Sequence, residues 1–406
     1  MTIGNKKVKI HHALEGITII DLSRLLSGPL CTMMLGDMGA DVIKIEPVSG
    51  EDSRFYGPPF IENESCAYLC ANRNKRDIAL DITTEKGKEL FFRLVSKADV
   101  VVENFRPDIR ERLKINYSRI IKYNPKVIYC SISGFGEKGP YREKPGVDII
   151  FQGMGGIMTI TGEPNSPPTK VGTPVADATA GMLAAFGILT ALFHRERTGI
   201  GQKVEISLLG SLLFLQSPLV SIYFGTRKNP PRYFSGGGPA AVPSQYFKTK
   251  DSYVTLSAYS KKFWIGLCKV LGMKELIDDP RFRTNPDRVK NREKLIPIIQ
   301  KRFLKKRTKE WIALLEKEEV PCGRILNYEE VFSNPQVMMN EMIETIDHPK
   351  CGKITLAGIP VKLEKTPGAV KKPPPILGQH TEEILKEFGI TDAEMNELLK
   401  LNIIRK

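Results

Sequence analysis

A chain of 406 residues, 41% hydrophobic and 26% charged, is long enough for two or three domains with buried cores, and its composition excludes a disordered chain. Seven scattered cysteines exclude a disulfide scaffold. Only Cys66 and Cys70 lie close together, with no histidine at zinc-ligand spacing, and the N-terminus shows no secretory leader, so a reduced cytoplasmic protein is expected. Sixty Lys and Arg against 46 Asp and Glu give a formal charge of +14, which favours a polyanionic partner: nucleic acid, an anionic membrane or a phosphorylated small molecule.

The first 200 residues alternate between strand and helix signals. Residues 17–22 form a short β-branched run, followed by the turn Ser27-Gly28-Pro29, a helix over 30–38 stopped by Gly39, and a second strand over 41–46. A helix over 85–97, a strand over 98–103, a helix opening at Pro107 and a strand over 126–133 continue the pattern. Strand, crossover helix, strand at this spacing predicts a parallel sheet with helices on its faces, and ligands in such sheets sit beyond the carboxyl ends of the strands. The loops after Leu22, Glu46, Glu103 and Ser133 are therefore the first places to look.

Residues 182–193 and 208–225 are apolar. The first is too short to span a bilayer and the second is interrupted by Gln216, Ser217 and Pro218, so both read as buried helices and no membrane partner is expected. Beyond residue 225 the chemistry changes to loops (Pro230-Pro231, Gly236-Gly237-Gly238-Pro239), a strand over 252–257 and surface helices over 263–271 and 288–303. Three segments result: a large domain over 1–212, a smaller one over 225–335 and a C-terminal part over 345–406 that returns to the first.

Gly134-Phe-Gly136-Glu-Lys-Gly139 spells a dinucleotide fingerprint after a strand, but Pro140 follows where a helix should start, and Glu163 lies in a Gly/Pro-rich segment rather than at a strand end. Nicotinamide and flavin folds lose their weight. The loop's Lys138, Arg142 and Lys144 can still meet phosphates. The five histidines lie near no recognisable nucleophile motif, which argues against hydrolase triads and zinc hydrolases. Asp177, ahead of the apolar run and among Ala176, Ala178, Ala180 and Gly181, reads either as a helix N-cap or as a carboxylate kept ionised by a helix N-terminus, with room beside it for a substrate. Basic residues in loops near the predicted ligand edge, Arg73, Lys75, Arg76, Arg106 and Arg142, are candidate anion ligands. The run Lys301–Arg307 reads as a helix face, since it lacks interleaved aromatics and any nucleic-acid motif, so nucleic acid is not an expected partner.

Together these stretches resemble the class III coenzyme A transferases. The resemblance is carried by Gly39-Ala-Asp-Val-Ile-Lys-Ile-Glu46, Asn72-Arg-Asn-Lys-Arg76, Glu103-Asn-Phe-Arg-Pro107, Asp177-Ala-Thr-Ala-Gly181 and Ile376-Leu-Gly-Gln-His-Thr381, in one order over about residues 13–400. It implies an α/β fold: a Rossmann-like large domain with a parallel sheet, a smaller α+β domain, and two chains interlocked as a homodimer. It also implies a CoA-transferase that moves coenzyme A from an acyl-CoA donor to a carboxylic acid acceptor through a covalent intermediate on Asp177, with Gly236, Gly237 and Gly238 as a mobile loop over the site. No tightly bound cofactor and no metal are implied; coenzyme A enters as substrate. The resemblance places coenzyme A against Leu25, Leu26, Leu80, Asp81, Ile82, Thr83, Asn104, Phe105, Arg106 and Arg112, with Arg73, Lys75, Arg76 and Arg142 as further candidates. Leu26 stands where formyl-CoA transferases have a glutamine, which points away from formyl and oxalyl groups, and Pro47 stands where they have a CoA-binding arginine. The α-methylacyl-CoA racemases of the same superfamily are the alternative, but their Gly-His-Asp segment is Gly146-Val147-Asp148 here and lacks the imidazole base.

Overall fold

The computed structural model describes residues 11–406; the first ten, over which no leader was read, lie outside it. The chain divides into two compact units. One comprises the chain up to Gly155 with Thr173–Leu215 and Pro335–Lys406, and the other comprises Gly156–Gly172 with Gln216–Asn334. Residues 156–172, which the sequence placed within the 1–212 segment, thus belong with the second unit.

Six parallel strands form the first unit's sheet: β1 (Thr18–Asp21), β2 (Asp41–Glu46), β3 (Lys75–Leu80), β4 (Val100–Glu103), β5 (Ile128–Ser133) and β6 (Lys203–Ser207). Their order is β3-β2-β1-β4-β5-β6, with Ile404–Arg405 antiparallel on the β3 edge. That is the order of a doubly wound sheet, whose switch point lies between β1 and β4. The β-branched runs Ile19-Ile20, Val42-Ile43 and Val100–Val102 are fully buried, as parallel strands covered on both faces require.

β3 was not expected. Its first three residues, Lys75-Arg76-Asp77, look like loop chemistry, yet all are buried and paired. Lys75 donates to Asp21 at the end of β1 (3.0 Å), to the Pro29 carbonyl and to Asn72. Asp21 also accepts from Thr32 and from the Ser23 amide and hydroxyl. Although burial alone would raise it, the Asp21 carboxyl is held down at about 2, chiefly by Lys75 and Lys44.

Five helices matter for the site: α1 (Ser27–Asp37), α2 (Glu85–Val95), α3 (Pro107–Leu113), α4 (Asp148–Met154) and α5 (Val175–Thr198). By length and composition α5 would pass for a membrane span, as would the helices Leu208–Leu215 and Ser217–Thr226 taken together across a 74° bend. α5 packs instead as a core helix, burying Ala176, Ala180, Ala184, Ile188 and Ala191 beside α1, β5 and β6. Its other face is open, against the expectation of a fully buried helix: Met182, Phe186, Leu189 and Phe193 are between 43% and 67% exposed.

The second unit is built on a three-stranded antiparallel sheet, β9-β8-β7, of β7 (Ser244–Lys248), β8 (Tyr253–Ser257) and β9 (Cys322–Arg324). Helices over Lys261–Leu271, Arg292–Phe303 and Thr308–Lys317 close its core around Trp264, Phe247, Phe303 and Trp311.

Lys75→Ala leaves Asp21 buried beside one fewer cation. Chemical unfolding of that variant is expected to show a loss of about 3–5 kcal/mol; a loss below about 1 kcal/mol would mean that water already solvates the pair.

Candidate active site

The ends of β1, β2, β3 and β4 converge on one cleft in the first unit, lined by Arg24, Pro47, Leu80, Asp81, Ile82, Thr83, Phe105 and Leu113 among others. The loops that shape it are fixed by their own backbones and side chains. Asn104 accepts from the Arg24 amide (2.8 Å) and donates to the Arg24 carbonyl (2.7 Å), tying the β1 and β4 loops together across the switch point. Glu51 accepts from the Leu25 amide, with Leu25 in the left-handed region at φ 65°. Asp81 accepts from the Thr83 amide and hydroxyl. Leu26 stands at the N-cap of α1.

Arg24 is a residue the sequence reading passed over. It is half-exposed, lies over the Phe105 ring at 4.9 Å and has only a long 4.0 Å ion pair with Asp52. Its position three residues past β1, in the first loop singled out for ligands, was the available signal. Arg106 and Arg112 sit on α3 and its N-cap, half-exposed or exposed, Arg106 paired with Asp108. Arg142 is exposed in the Gly-rich loop and paired with its neighbour Glu143.

Three of the basic candidates are elsewhere and otherwise engaged. Lys75 and Arg76 begin β3, whose other end carries Leu80 at the cleft, and Arg73 precedes them; the Lys75 side chain runs up to Asp21 at the end of β1 and is buried there. Arg73 makes a bidentate pair with Asp37, and Arg76 is held by Asp41, Glu383 and Glu387. Buried and fully paired, these cations have no charge to offer a phosphate. Their correction has a simple cause: a basic run before a strand looks the same in sequence whether it serves a ligand or the fold.

Asp177 lies in the first turn of α5, not at its N-cap, which is Pro174. The capping role belongs to Asp148 at the start of α4, whose Oδ1 accepts from the Ala176 amide at 2.8 Å and the Asp177 amide at 3.4 Å, while its Oδ2 accepts from Gln152. Gly181, one turn further along α5, lets that helix approach α1: a Cβ there would lie 2.6 Å from the Ser27 carbonyl oxygen. The close approach brings the Ser27 side chain into hydrogen-bonding contact with Asp177. The helix N-terminus does not hold this carboxyl down. Burial, and then the neighbouring charge of Asp148, push the Asp177 carboxyl up to about 6, with Ser27 pulling weakly the other way. Such a group is ionised at neutral pH and more basic than an ordinary aspartate, which suits a nucleophile or a proton acceptor.

In the second unit, Gly236–Gly238 leave a left-handed Ser235 (φ 58°), and Gly236 itself has φ 68°. A Cβ on Gly238 would meet nothing within 4 Å, so the backbone is open there, whereas Gly237 lies against Tyr233 and donates its amide to the Phe234 carbonyl. Among the described residues, no cluster of three His, Cys, Asp or Glu side chains is placed to hold a metal.

The sequence profile of CoA-transferase family III matches residues 14–381. The chain belongs to that family. A human succinyl-CoA:glutarate CoA-transferase is 39% identical over 96% of this chain and 90% of its own length, and an acetyl-CoA:oxalate CoA-transferase of Acetobacter aceti is 37% identical over 94% and 97%. The crystal structure of a CAIB/BAIF family protein from Brucella suis superposes with a TM-score of 0.82 at 35% identity, covering 93% of this chain and all of that one. With such relatives along nearly its whole length, the protein is an enzyme of the CoA-transferase kind. The racemase alternative is not favoured by these relatives, and the exposed Val147 at the head of α4 offers no proton-transfer group.

A carboxyl-¹³C titration of aspartate-labelled protein is expected to place Asp177 near 6, with the resonance assigned by its loss in Asp177→Asn. In Asp148→Asn, which keeps the cap oxygen but removes the charge, the midpoint should fall toward the ordinary carboxylate range. An unmoved midpoint would show that burial alone sets it.

Proposed function

We propose that the enzyme transfers coenzyme A between carboxylic acids through covalent intermediates on Asp177. The observation that carries this reading is the raised, half-buried Asp177 carboxylate at the junction of α1 and α5. An Asp177 oxygen attacks the thioester carbonyl of the donor, expelling the CoA thiolate and leaving a mixed anhydride. The thiolate then attacks the aspartyl carbonyl, which releases the donor acid and leaves an aspartyl–CoA thioester. The acceptor carboxylate repeats the sequence in reverse: it displaces the thiolate to form its own anhydride, and the thiolate takes the acceptor acyl group and frees Asp177. Over the whole cycle one thioester replaces another, so the reaction needs no ATP.

Each tetrahedral step builds charge on an oxygen, and the amides of Gly236–Gly238 are the donors we assign to it, that of Gly237 once it leaves the Phe234 carbonyl to which it donates at 3.2 Å. Coenzyme A is a polyanion whose nucleotide end suits the cleft at the strand ends, with Leu80–Thr83 and Phe105 as walls and Arg24, Arg106 and Arg112 as cations. Arg142 keeps its place as a candidate phosphate ligand from the neighbouring loop. Succinyl-CoA is the first donor to test, since relatives at 39% and 40% identity are named for succinyl-CoA and glutarate.

We further propose a homodimer of interlocked chains. Met182, Phe186, Leu189 and Phe193 recur at intervals of four, three and four, making one apolar stripe down α5, and Ile149, Ile150 and Met154 on α4 add to the exposed apolar surface. A surface of this kind on a lone chain marks an interaction site. The seven unpaired cysteines suit a reducing, cytoplasmic compartment.

Exchange of label between succinyl-CoA and a panel of free mono- and dicarboxylic acids tests the function. Asp177→Ala is expected to lose about 10³-fold or more of the transfer rate, and wild-type activity should decline on acidification through pH 6 as Asp177 takes up its proton. Full activity in the folded Asp177→Ala variant would remove the aspartyl mechanism. Separately, light scattering should report a dimer for the wild type and a smaller species or aggregate for Phe186→Asp; a monomeric wild type would overturn the dimer.

A further inference from the structure

Glu163, set aside in the sequence because it stood at the wrong place for a ribose ligand, has a definite partner set within the second unit. Its carboxylate accepts from the Ser235 amide through both oxygens, at 2.9 and 3.2 Å, and from the Tyr246 hydroxyl at 2.6 Å. The Ser235 side chain reaches the same phenol. Ser235 is the residue that enters the glycine loop, and it is held at φ 58°, a backbone region a serine occupies when its surroundings hold it there. At the far end of the loop the Arg292 guanidinium, lying 3.9 Å from the centre of the Tyr233 ring, donates to the carbonyls of Gly238 (2.8 Å) and Pro239 (3.2 Å). The segment carrying Glu163 is itself pinned: Arg232 donates to the carbonyls of Met158, Thr159, Ser166 and Pro167.

Three glycines between two charged anchors form a short span whose ends are fixed and whose middle is held only by the bond from the Gly237 amide to the Phe234 carbonyl (3.2 Å). We propose that Glu163 is a positioning residue for the transfer reaction: by holding the Ser235 amide it sets the direction in which the amides of Gly236–Gly238 point. This rests on the reading of the glycine loop as the oxyanion donor. Glu163 acts through the loop and touches no reacting atom. Misdirected donors slow each tetrahedral step, and a loop free to wander admits water to the anhydride and to the aspartyl thioester, turning transfer into hydrolysis.

The test measures, in one reaction, how donor thioester partitions between transfer and hydrolysis, alongside kcat, KM and the trapped Asp177 adduct. Wild type is compared with Glu163→Ala, Glu163→Gln and Tyr246→Phe. Glu163→Ala is expected to lower the transfer kcat about tenfold and raise the hydrolysed share several-fold with little change in KM for the donor. Glu163→Gln keeps a carbonyl oxygen for the Ser235 amide and should restore most of both. Loss of stability alone would reduce the active fraction and leave the partition unchanged, so a folded Glu163→Ala protein with wild-type partition and kcat overturns the proposal. Should Glu163→Ala not fold, Tyr246→Phe, which removes one anchor of the carboxylate, must at least double the hydrolysed share; an unchanged partition there overturns it equally. A wild-type protein that forms no Asp177 adduct refutes the aspartyl mechanism, whereas a normal adduct with unaltered partition in the variants refutes only the role of Glu163.

Discussion

The buried ion pair between Asp21 and Lys75 is the constraint on which the first unit's site depends. Asp21 ends the central strand, and its carboxylate gathers Ser23, Thr32 and Lys75, while Lys75 reaches on to the Pro29 carbonyl. These bonds fold the chain sharply after β1 and start α1 immediately beyond the turn. Lys44 reinforces the turn through the Ser23 carbonyl and Glu51. Because charges stripped of water are costly unless fully partnered, the arrangement tolerates little displacement. The beginning of α1 is therefore held in place, and α5 packs against it.

That placement gives Asp177 its character. Gly181 permits the two helices to touch, the contact removes water from the Asp177 carboxyl, and Asp148 adds a like charge while occupying the amides that would otherwise stabilise it. The N-terminus of a helix normally lowers an acid's pKa. Here a second carboxylate has taken over the amides, and the net effect is a carboxyl raised to about 6. The basicity favours attack on a thioester without sacrificing ionisation at neutral pH. One aspartate caps the helix and leaves the other basic.

Much of the sheet was legible because buried β-branched runs at regular spacing have few alternative explanations. β1, β2, β4 and β5 were placed within a residue or two of their ends. β3 was not, since Lys75, Arg76 and Asp77 obey the rules of exposed loops until their partners are known: Asp21 of β1 for Lys75, Asp41 of β2 and the C-terminal helix Thr381–Glu387 for Arg76, and Arg54 with the Gly378 amide for Asp77. The same ambiguity made Arg73, Lys75 and Arg76 look like phosphate ligands. Asp177 was singled out as a candidate, but its pKa direction was not legible, because burial sets it first and the charge of Asp148, 29 positions away, adds to it. Glu163 likewise gains meaning only from Ser235 and Tyr246, more than 70 residues downstream. Sequence carries periodicity well; it carries pairings between distant charges poorly.

The central claim is that Asp177 becomes covalently attached to the substrate. Intact-protein and peptide mass spectrometry after brief mixing with succinyl-CoA, quenched with borohydride or hydroxylamine, tests it most directly, with Asp177→Ala as control. The aspartyl mechanism predicts a mass change mapping to Asp177 in the wild type and none in the variant. Turnover of the same donor with no modification at Asp177 on any quench, or an adduct that persists when Asp177 is replaced, would contradict it.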